Sequence, residues 1–219
     1  MCLLWNSASG GDAAGDQLIS IENLTGSKYN DALFGDNGPN VLRGAGGSDT
    51  LLGFGGPDVL LGDGRGLVGG GADSLNGGAG NDLLVGGMGG DTLCGGPDAD
   101  VFLWNEANES AGVVPSGIDL ANTDVILDFN AAEGDMIDVH GVDADEKSFG
   151  NQDFTFIGEY WAHGGFTAPG QATYGFDGTN TYLLFNTDDV YTAYNGVADF
   201  EFGIRLPGQY APEASWFNS

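Results

Sequence analysis

Eight residues recur at an interval that invites metal chemistry: Asp31, Asn40, Asp49, Asp58, Asp73, Asp82, Asp91 and Asp100. The steps between them are 9, 9, 9, 15, 9, 9 and 9 residues. Side-chain oxygens that return at one interval come into register when the chain coils, and carboxylates in register repel one another. A hard cation between them removes that repulsion. Calcium accepts about six to eight oxygens in flexible geometry, whereas magnesium insists on a stricter octahedron and keeps its waters. Zinc prefers His and Cys, and neither occurs at these positions. The pattern therefore points to calcium.

The elements that must position these oxygens can be read from the neighbouring residues. Two places after each anchor stand Leu33, Leu42, Leu51, Leu60, Leu75, Leu84, Leu93 and Phe102. One large apolar side chain between mixed neighbours is the period-2 mark of a very short half-buried strand. The five residues before each anchor are mostly glycine, as in "GAGGSD", "GGAGND" and "GGMGGD". Glycine there permits positive φ and close approach of the backbone to a ligand. Each unit thus reads as a tight turn followed by a strand of three residues. A unit with one apolar side chain cannot bury it alone, so the units must stack. With two units per coil they make two parallel sheets around the Leu column, with the anchors emerging from turns along both edges. Anchors 18 residues apart then superpose: Asp31 on Asp49, Asn40 on Asp58, Asp73 on Asp91 and Asp82 on Asp100. A solvated acidic face is the competing explanation. Against it, every acidic residue between Leu24 and Trp104 is Asp, and a tight turn requires the shorter side chain.

Composition narrows the partners. Acids outnumber bases 32 to 5, for a formal charge of −27. Such a chain is not a nucleic-acid binder, because phosphates need Lys and Arg to neutralise them. Anionic membrane surfaces are disfavoured for the same reason, and no apolar run reaches the ~18 residues that span a bilayer. With 41% hydrophobic and 11% aromatic residues the chain is too apolar for a solvated coil. Its two cysteines, Cys2 and Cys94, read as unpaired thiols rather than a disulfide framework. The opening "MCLLWNSASGGD" lacks the basic region and the apolar length of a secretory leader.

The segment 24–104 resembles the RTX calcium-binding array, whose nonapeptide is G-G-x-G-x-D-x-U-x with U large and apolar. The match is close in "GGAGNDLLV" and "GGMGGDTLC". It is looser in "GDNGPNVLR", where Asn40 replaces Asp, and in "GGPDADVFL", where Asp98 replaces a turn glycine. "GSKYNDALF" carries Lys28 and Tyr29 in the turn, as a first, capping repeat would. The resemblance implies an all-β fold, a right-handed parallel β-roll with calcium between stacked turns. The expected ligands are the eight anchors with Asp98 and the turn residues Gly44, Gly46, Gly53, Gly55, Gly77, Gly78, Gly80, Gly86, Gly87, Gly89, Gly95 and Gly96. Between Gly62 and Gly71 six extra residues interrupt the array. They are expected to loop out with the alternation kept, and with no ion spanning the junction the roll is expected to hold about four to six. "GRGLVG" at 64–69 also fits G-x-G-x-x-G, but no helix follows, so it is not read as a dinucleotide site.

After Trp104 glycine thins and aromatics accumulate. "TDVILDF", "DMIDVHG", "FTFIGEY", "TYLLFNT" and "ADFEFGIRL" read as strands of a sandwich-like β domain. Three segments are expected: a lead-in at 1–23, the roll at 24–104 and a C-terminal β domain at 105–219. "GGPDADVFLW…TDVILDFNAAEGDMIDV", "ADFEFGIRLPGQ" and the entry "ISIENLTGSKYND" resemble the C-terminal region of serralysin-type secreted metalloproteases. That resemblance implies a module closing the roll and read by a type I secretion apparatus, hence an extracellular protein exported without an N-terminal signal peptide.

No catalytic constellation stands out. His140 and His163 lie in no H-E-x-x-H motif, and Asp188–Asp189 and Asp143/Asp145 read as loop acids or an extra calcium ligand. The expected function is calcium-dependent folding and secretion. Two alternatives remain open: the non-catalytic tail of a larger serralysin-like zinc protease or other hydrolase with an upstream catalytic domain, and a carbohydrate-associated binding module using Tyr160, Trp161, Phe166 and Tyr174.

Overall fold

One apolar side chain per nine residues is too little for a free-standing strand, and the chain solves this by coiling. The computed structural model describes residues 22–64, 70–105, 113–114, 117–118, 123–142, 154–159, 166, 168, 170–186 and 202–218. Nine short strands come first: β1 (Asn23–Thr25), β2 (Ala32–Phe34), β3 (Val41–Ala45), β4 (Thr50–Gly55), β5 (Val59–Asp63), β6 (Ser74–Ala79), β7 (Leu83–Val85), β8 (Thr92–Cys94) and β9 (Val101–Leu103). Odd strands pair in parallel in one sheet and even strands in the other. The fold is an all-β parallel roll.

Register is set by the leucines. Leu24, Leu42, Leu60, Leu84 and Phe102 align on one sheet, and Leu33, Leu51, Leu75 and Leu93 on the other. All nine are buried. Each such burial is worth about 1.5–3 kcal/mol, and a slip of one residue would turn the whole column to solvent. The interruption does not break this register. β4 pairs directly with β6 and β5 with β7, and the isolated bridge between Gly47 and Gly70 shows where the chain rejoins its coil. The glycine-rich segment at 64–69 is outside the described residues from 65 onward.

The parallel stack continues past Trp104. β12 (Asp124–Ile126) lies on β8, and β13 (Met136–Asp138) lies on β9. A two-stranded ribbon, β10 (Val113–Val114) with β11 (Gly117–Ile118), falls between. The later strands are β14 (Thr155–Glu159), β15 (Gln171–Phe176), β16 (Asn180–Asn186), β17 (Phe202–Pro207) and β18 (Phe217–Asn218). β15, β16 and β17 form an antiparallel meander that joins the even sheet through a parallel β17–β12 pair. β18 completes the odd sheet beside β13. The C-terminal strands thus share their sheets with the roll, giving nine strands on one side and seven on the other. Phe102 and Phe129 pack in the space between, with Trp216 against Phe129 and Phe217 against Phe156 and Phe185. The strand β15 lies outside the segments whose sequence reads as strand.

Candidate metal centre

The anchors stand at the strand entrances along both edges of the roll. On one edge the N–H of Asp31 donates to Asp49 Oδ1 at 2.7 Å, Asp49 to Asp73 at 2.7 Å, and Asp73 to Asp91 at 2.8 Å. On the other edge Asn40 donates to Asp58 at 2.7 Å, Asp58 to Asp82 at 2.8 Å, and Asp82 to Asp100 at 2.9 Å. The predicted pairs are brought together, and the two ladders also run through the interruption. From Asp49 onward every repeat anchor is buried.

These bonds use only half of each carboxylate. Oδ2 of Asp49, Asp58, Asp73, Asp82 and Asp100 is buried without a hydrogen-bond partner. Leaving a charged oxygen so costs several kcal/mol in the absence of a counter-charge. Burial accordingly pushes Asp58 and Asp100 up to about 7, Asp73 to about 8 and Asp82 to about 6, with neighbouring carboxylates adding to the rise. Asp49 is raised for the same reason.

Glycine makes the space beside each of these oxygens. A Cβ on Gly44, Gly53, Gly77, Gly86 or Gly95 would overlap Oδ2 of the anchor five residues later. At Gly44 and Gly53 it would also overlap a carbonyl oxygen of the next coil, from Gly62 and Gly77. A carboxylate oxygen and a backbone carbonyl therefore converge on one cradle, repeated along each edge. Among the described residues no three His, Cys, Asp or Glu side chains gather at one point. An ion on these edges must take most of its oxygens from the backbone, which is calcium's habit rather than zinc's. The residues present fit calcium.

The remaining turn residues set backbone geometry. Gly78, Gly87 and Gly96 have φ of 104°, 103° and 107°, and Gly80 and Gly89 have 125° and 133°. These turns thus need left-handed residues four and two places before the anchor. Ala45 (87°) and Phe54 (77°) take the first of these positions and Asp98 (86°) the second without being glycine. Gly46 and Gly55 sit one place off: the left-handed glycines of their turns are Gly47 and Gly56, while their own N–H groups donate to the carbonyls of Ser27 and Asp36.

Both ends of the ladders differ from the middle. Asp31 Oδ2 accepts the N–H and the hydroxyl of Ser27, at 2.6 and 2.8 Å. Asn40 Oδ1 accepts the Asp36 N–H at 2.7 Å. At the far end two further aspartates extend the columns. Asp124 Oδ1 accepts the Asp91 N–H at 2.8 Å and its Oδ2 the Trp104 indole N–H at 2.7 Å. Asp135 Oδ1 accepts the Asp100 N–H at 3.1 Å and its Oδ2 the Asn130 N–H at 2.8 Å. Asp128 closes the last turn, taking the N–H groups of Gly95 and Gly96 at 3.0 and 2.9 Å and the Cys94 thiol at 3.0 Å. Cys94 is a free cysteine; burial, with that carboxylate beside it, pushes its thiol up to about 12.

The nine-residue periodicity does not reach Asp63, Asp124, Asp128 or Asp135. The signal for two of them is present, since Asp124 and Asp135 each stand two places before a buried isoleucine, Ile126 and Ile137. Of the other candidates, His140 is exposed and bonds Asp138 beside it. Phe166 is buried, and Tyr174 stacks on Phe156. His163, Tyr160, Trp161, Asp143, Asp145, Asp188 and Asp189 lie outside the described residues.

Among known proteins the chain is similar to a solved structure, the AlgE6R3 subunit of a mannuronan C5-epimerase from Azotobacter vinelandii. The two share 26% identity over 93% of this chain and 86% of that one, with a TM-score of 0.49. No curated protein matches the chain. The family model for the RTX calcium-binding nonapeptide repeat matches residues 25–60 and 68–102, in four copies. Those residues are RTX calcium-binding repeats.

Proposed function

We propose that this chain is a calcium-triggered folding module that serves the export of a secreted protein and holds it folded outside the cell, without chemistry of its own. The observation that carries this reading is the set of buried carboxylate oxygens without partners in the middle of both ladders. Where calcium is scarce those groups oppose closure of the roll, and the chain stays open enough to be threaded. Where calcium is millimolar, sites of the ~10⁻⁴–10⁻³ M class common in extracellular modules fill. The binding free energy then becomes folding free energy, because the site does not exist in the open chain. The ligands in this reading are the anchor aspartates with backbone oxygens of the turn glycines, and the ions number about four to six. A type I apparatus is the exporter that such a module suits, and an upstream catalytic domain, of a serralysin-like protease or another hydrolase, is the cargo that it suits.

The test is far-UV circular dichroism and sedimentation of the purified chain at neutral pH, in calcium and in excess chelator. A β-rich compact state that appears only with calcium is expected. A fully folded protein in chelator overturns the proposal.

A further inference from the structure

The interruption places an acidic residue at a turn position that the repeats fill with Ala45, Phe54, Gly78, Gly87 and Gly96, and with an acid only at Asp36. Asp63 ends β5 and pairs in register with Ala45 of β3, so it takes the turn position that Ala45 and Gly87 take four places before their anchors. The coil is taken up again at Gly70, beside Gly47. The Asp63 side chain is left between coils. Its Oδ2 accepts the Met88 N–H at 2.9 Å. Its Oδ1 is buried and has no hydrogen-bond partner. Among the described residues no Lys, Arg or His forms an ion pair with it.

The space beside this carboxylate is shaped like the repeat cradles. A Cβ on Gly70 would overlap Asp63 Oδ2 and the carbonyl oxygen of Met88. A Cβ on Gly44 or Gly53 would likewise meet one carboxylate oxygen and one carbonyl of the following coil, there the oxygen without a partner and here the one that accepts the Met88 N–H. The nonapeptide pattern does not produce it here. Asp63 comes from a turn position, not an anchor position, and the glycine that leaves room for it lies seven residues downstream.

We propose that Asp63, with the Met88 carbonyl and the room left by Gly70, forms an additional calcium-class cation site at the interruption, outside the nonapeptide pattern. A stranded carboxylate is thereby turned into a cross-link between the interrupted coil and the coil after it, at the point where six extra residues would otherwise loosen the stack. Calcium completes an incomplete protein shell with water, so a site with fewer protein oxygens than its neighbours is chemically acceptable. The inference rests on the reading of the roll as a calcium module.

The experiment is a calcium count, by equilibrium dialysis with isothermal titration, on the wild-type chain, D63N, G70A and the repeat-anchor variant D82N. Folding at saturating calcium is followed by circular dichroism. D63N and G70A are expected to keep the β-rich spectrum and to lose one ion, or one class of sites by tenfold or more in affinity. If both bind calcium as wild type does while D82N is impaired, the Asp63 site is overturned and the calcium module stands. If the wild-type chain binds no calcium, both fall. Should D63N fail to fold, the count rests on G70A; should neither fold, the proposal is overturned, because one supplementary site cannot be indispensable to the whole roll.

Discussion

The middle and the ends of the two aspartate ladders differ in what meets the second carboxylate oxygen. In the middle, Asp58, Asp73 and Asp82 each spend one oxygen on the coil before them and bury the other with nothing to receive it. At the ends the second oxygen is met by the protein itself, through Ser27 for Asp31, the Trp104 indole for Asp124 and the Asn130 N–H for Asp135. The difference teaches what calcium is needed for. In the proposed reading the ion serves the middle, where no side chain reaches the second carboxylate oxygen, and not the ends, where a serine or a tryptophan stands in reach.

The comparison is most directly broken from the middle. D82N keeps the Oδ1 ladder bond and removes the charge, and calcium affinity depends on the number of charged ligands. It is expected to weaken calcium binding about ten- to hundredfold and shift the folding midpoint to correspondingly higher calcium. At the end, D124N should leave calcium affinity unchanged and lower stability in saturating calcium by about 1.5–3 kcal/mol, the cost of a buried hydrogen bond to a charged group. Urea unfolding at fixed calcium separates the two. Equal calcium dependence in both variants would erase the distinction.

Acid sharpens it further. Asp58, Asp73 and Asp100 have folded-state values near 7, 8 and 7 against an ordinary 3.8. Without calcium the folded form therefore binds protons that the unfolded chain does not, so its stability falls as pH rises and the full cost is present above pH 8 or so. In chelator, the compact β-rich state missing at neutral pH should gain population as pH drops from about 8 towards 4, read by circular dichroism. In calcium the trend reverses, because protons compete for the ligands. The smallest effect is backbone strain: F54G releases a bulky residue from φ 77° and should add about 1 kcal/mol, measured at saturating calcium so that ion binding does not contribute.

Much of the roll is legible in sequence because its physics is periodic. The anchors, the Leu column and the continuation through the interruption all follow from one interval and one burial rule. The ends are not periodic. Asp124 and Asp135 follow their ladder partners Asp91 and Asp100 by 33 and 35 residues, so a search for a nine-residue step stops at Phe102, although the Asp-x-Ile spacing persists in both. Asp63 is invisible for a different reason: it serves the edge from a position that the motif assigns to glycine. A run of glycines likewise does not reveal which one carries the positive φ, which falls on Gly47 and Gly56 rather than on Gly46 and Gly55. Most of the C-terminal strands are readable one by one, but their merger into the sheets of the roll depends on pairings that no local pattern encodes, such as the parallel β17–β12 contact.

Each ladder bond runs one way, from the N–H of one anchor to the carboxylate of the anchor one coil later. The roll therefore has a polarity that its repeating appearance hides. The N–H of each anchor is met only when its successor is in place; at the far end the Asp135 N–H donates instead to the Asn130 carbonyl, while the Trp104 indole N–H and the Asn130 N–H fill the second oxygens of Asp124 and Asp135. Assembly that starts at the C-terminal side carries an unmet carboxylate oxygen at its growing face until the preceding coil docks. Assembly from the other side carries an unmet donor at its growing face until the next coil arrives, so loss of a terminal segment is not symmetric: removing 123–142 strands the N–H groups of Asp91 and Asp100, whereas trimming the first coil strands carboxylate oxygens of Asp49 and Asp58.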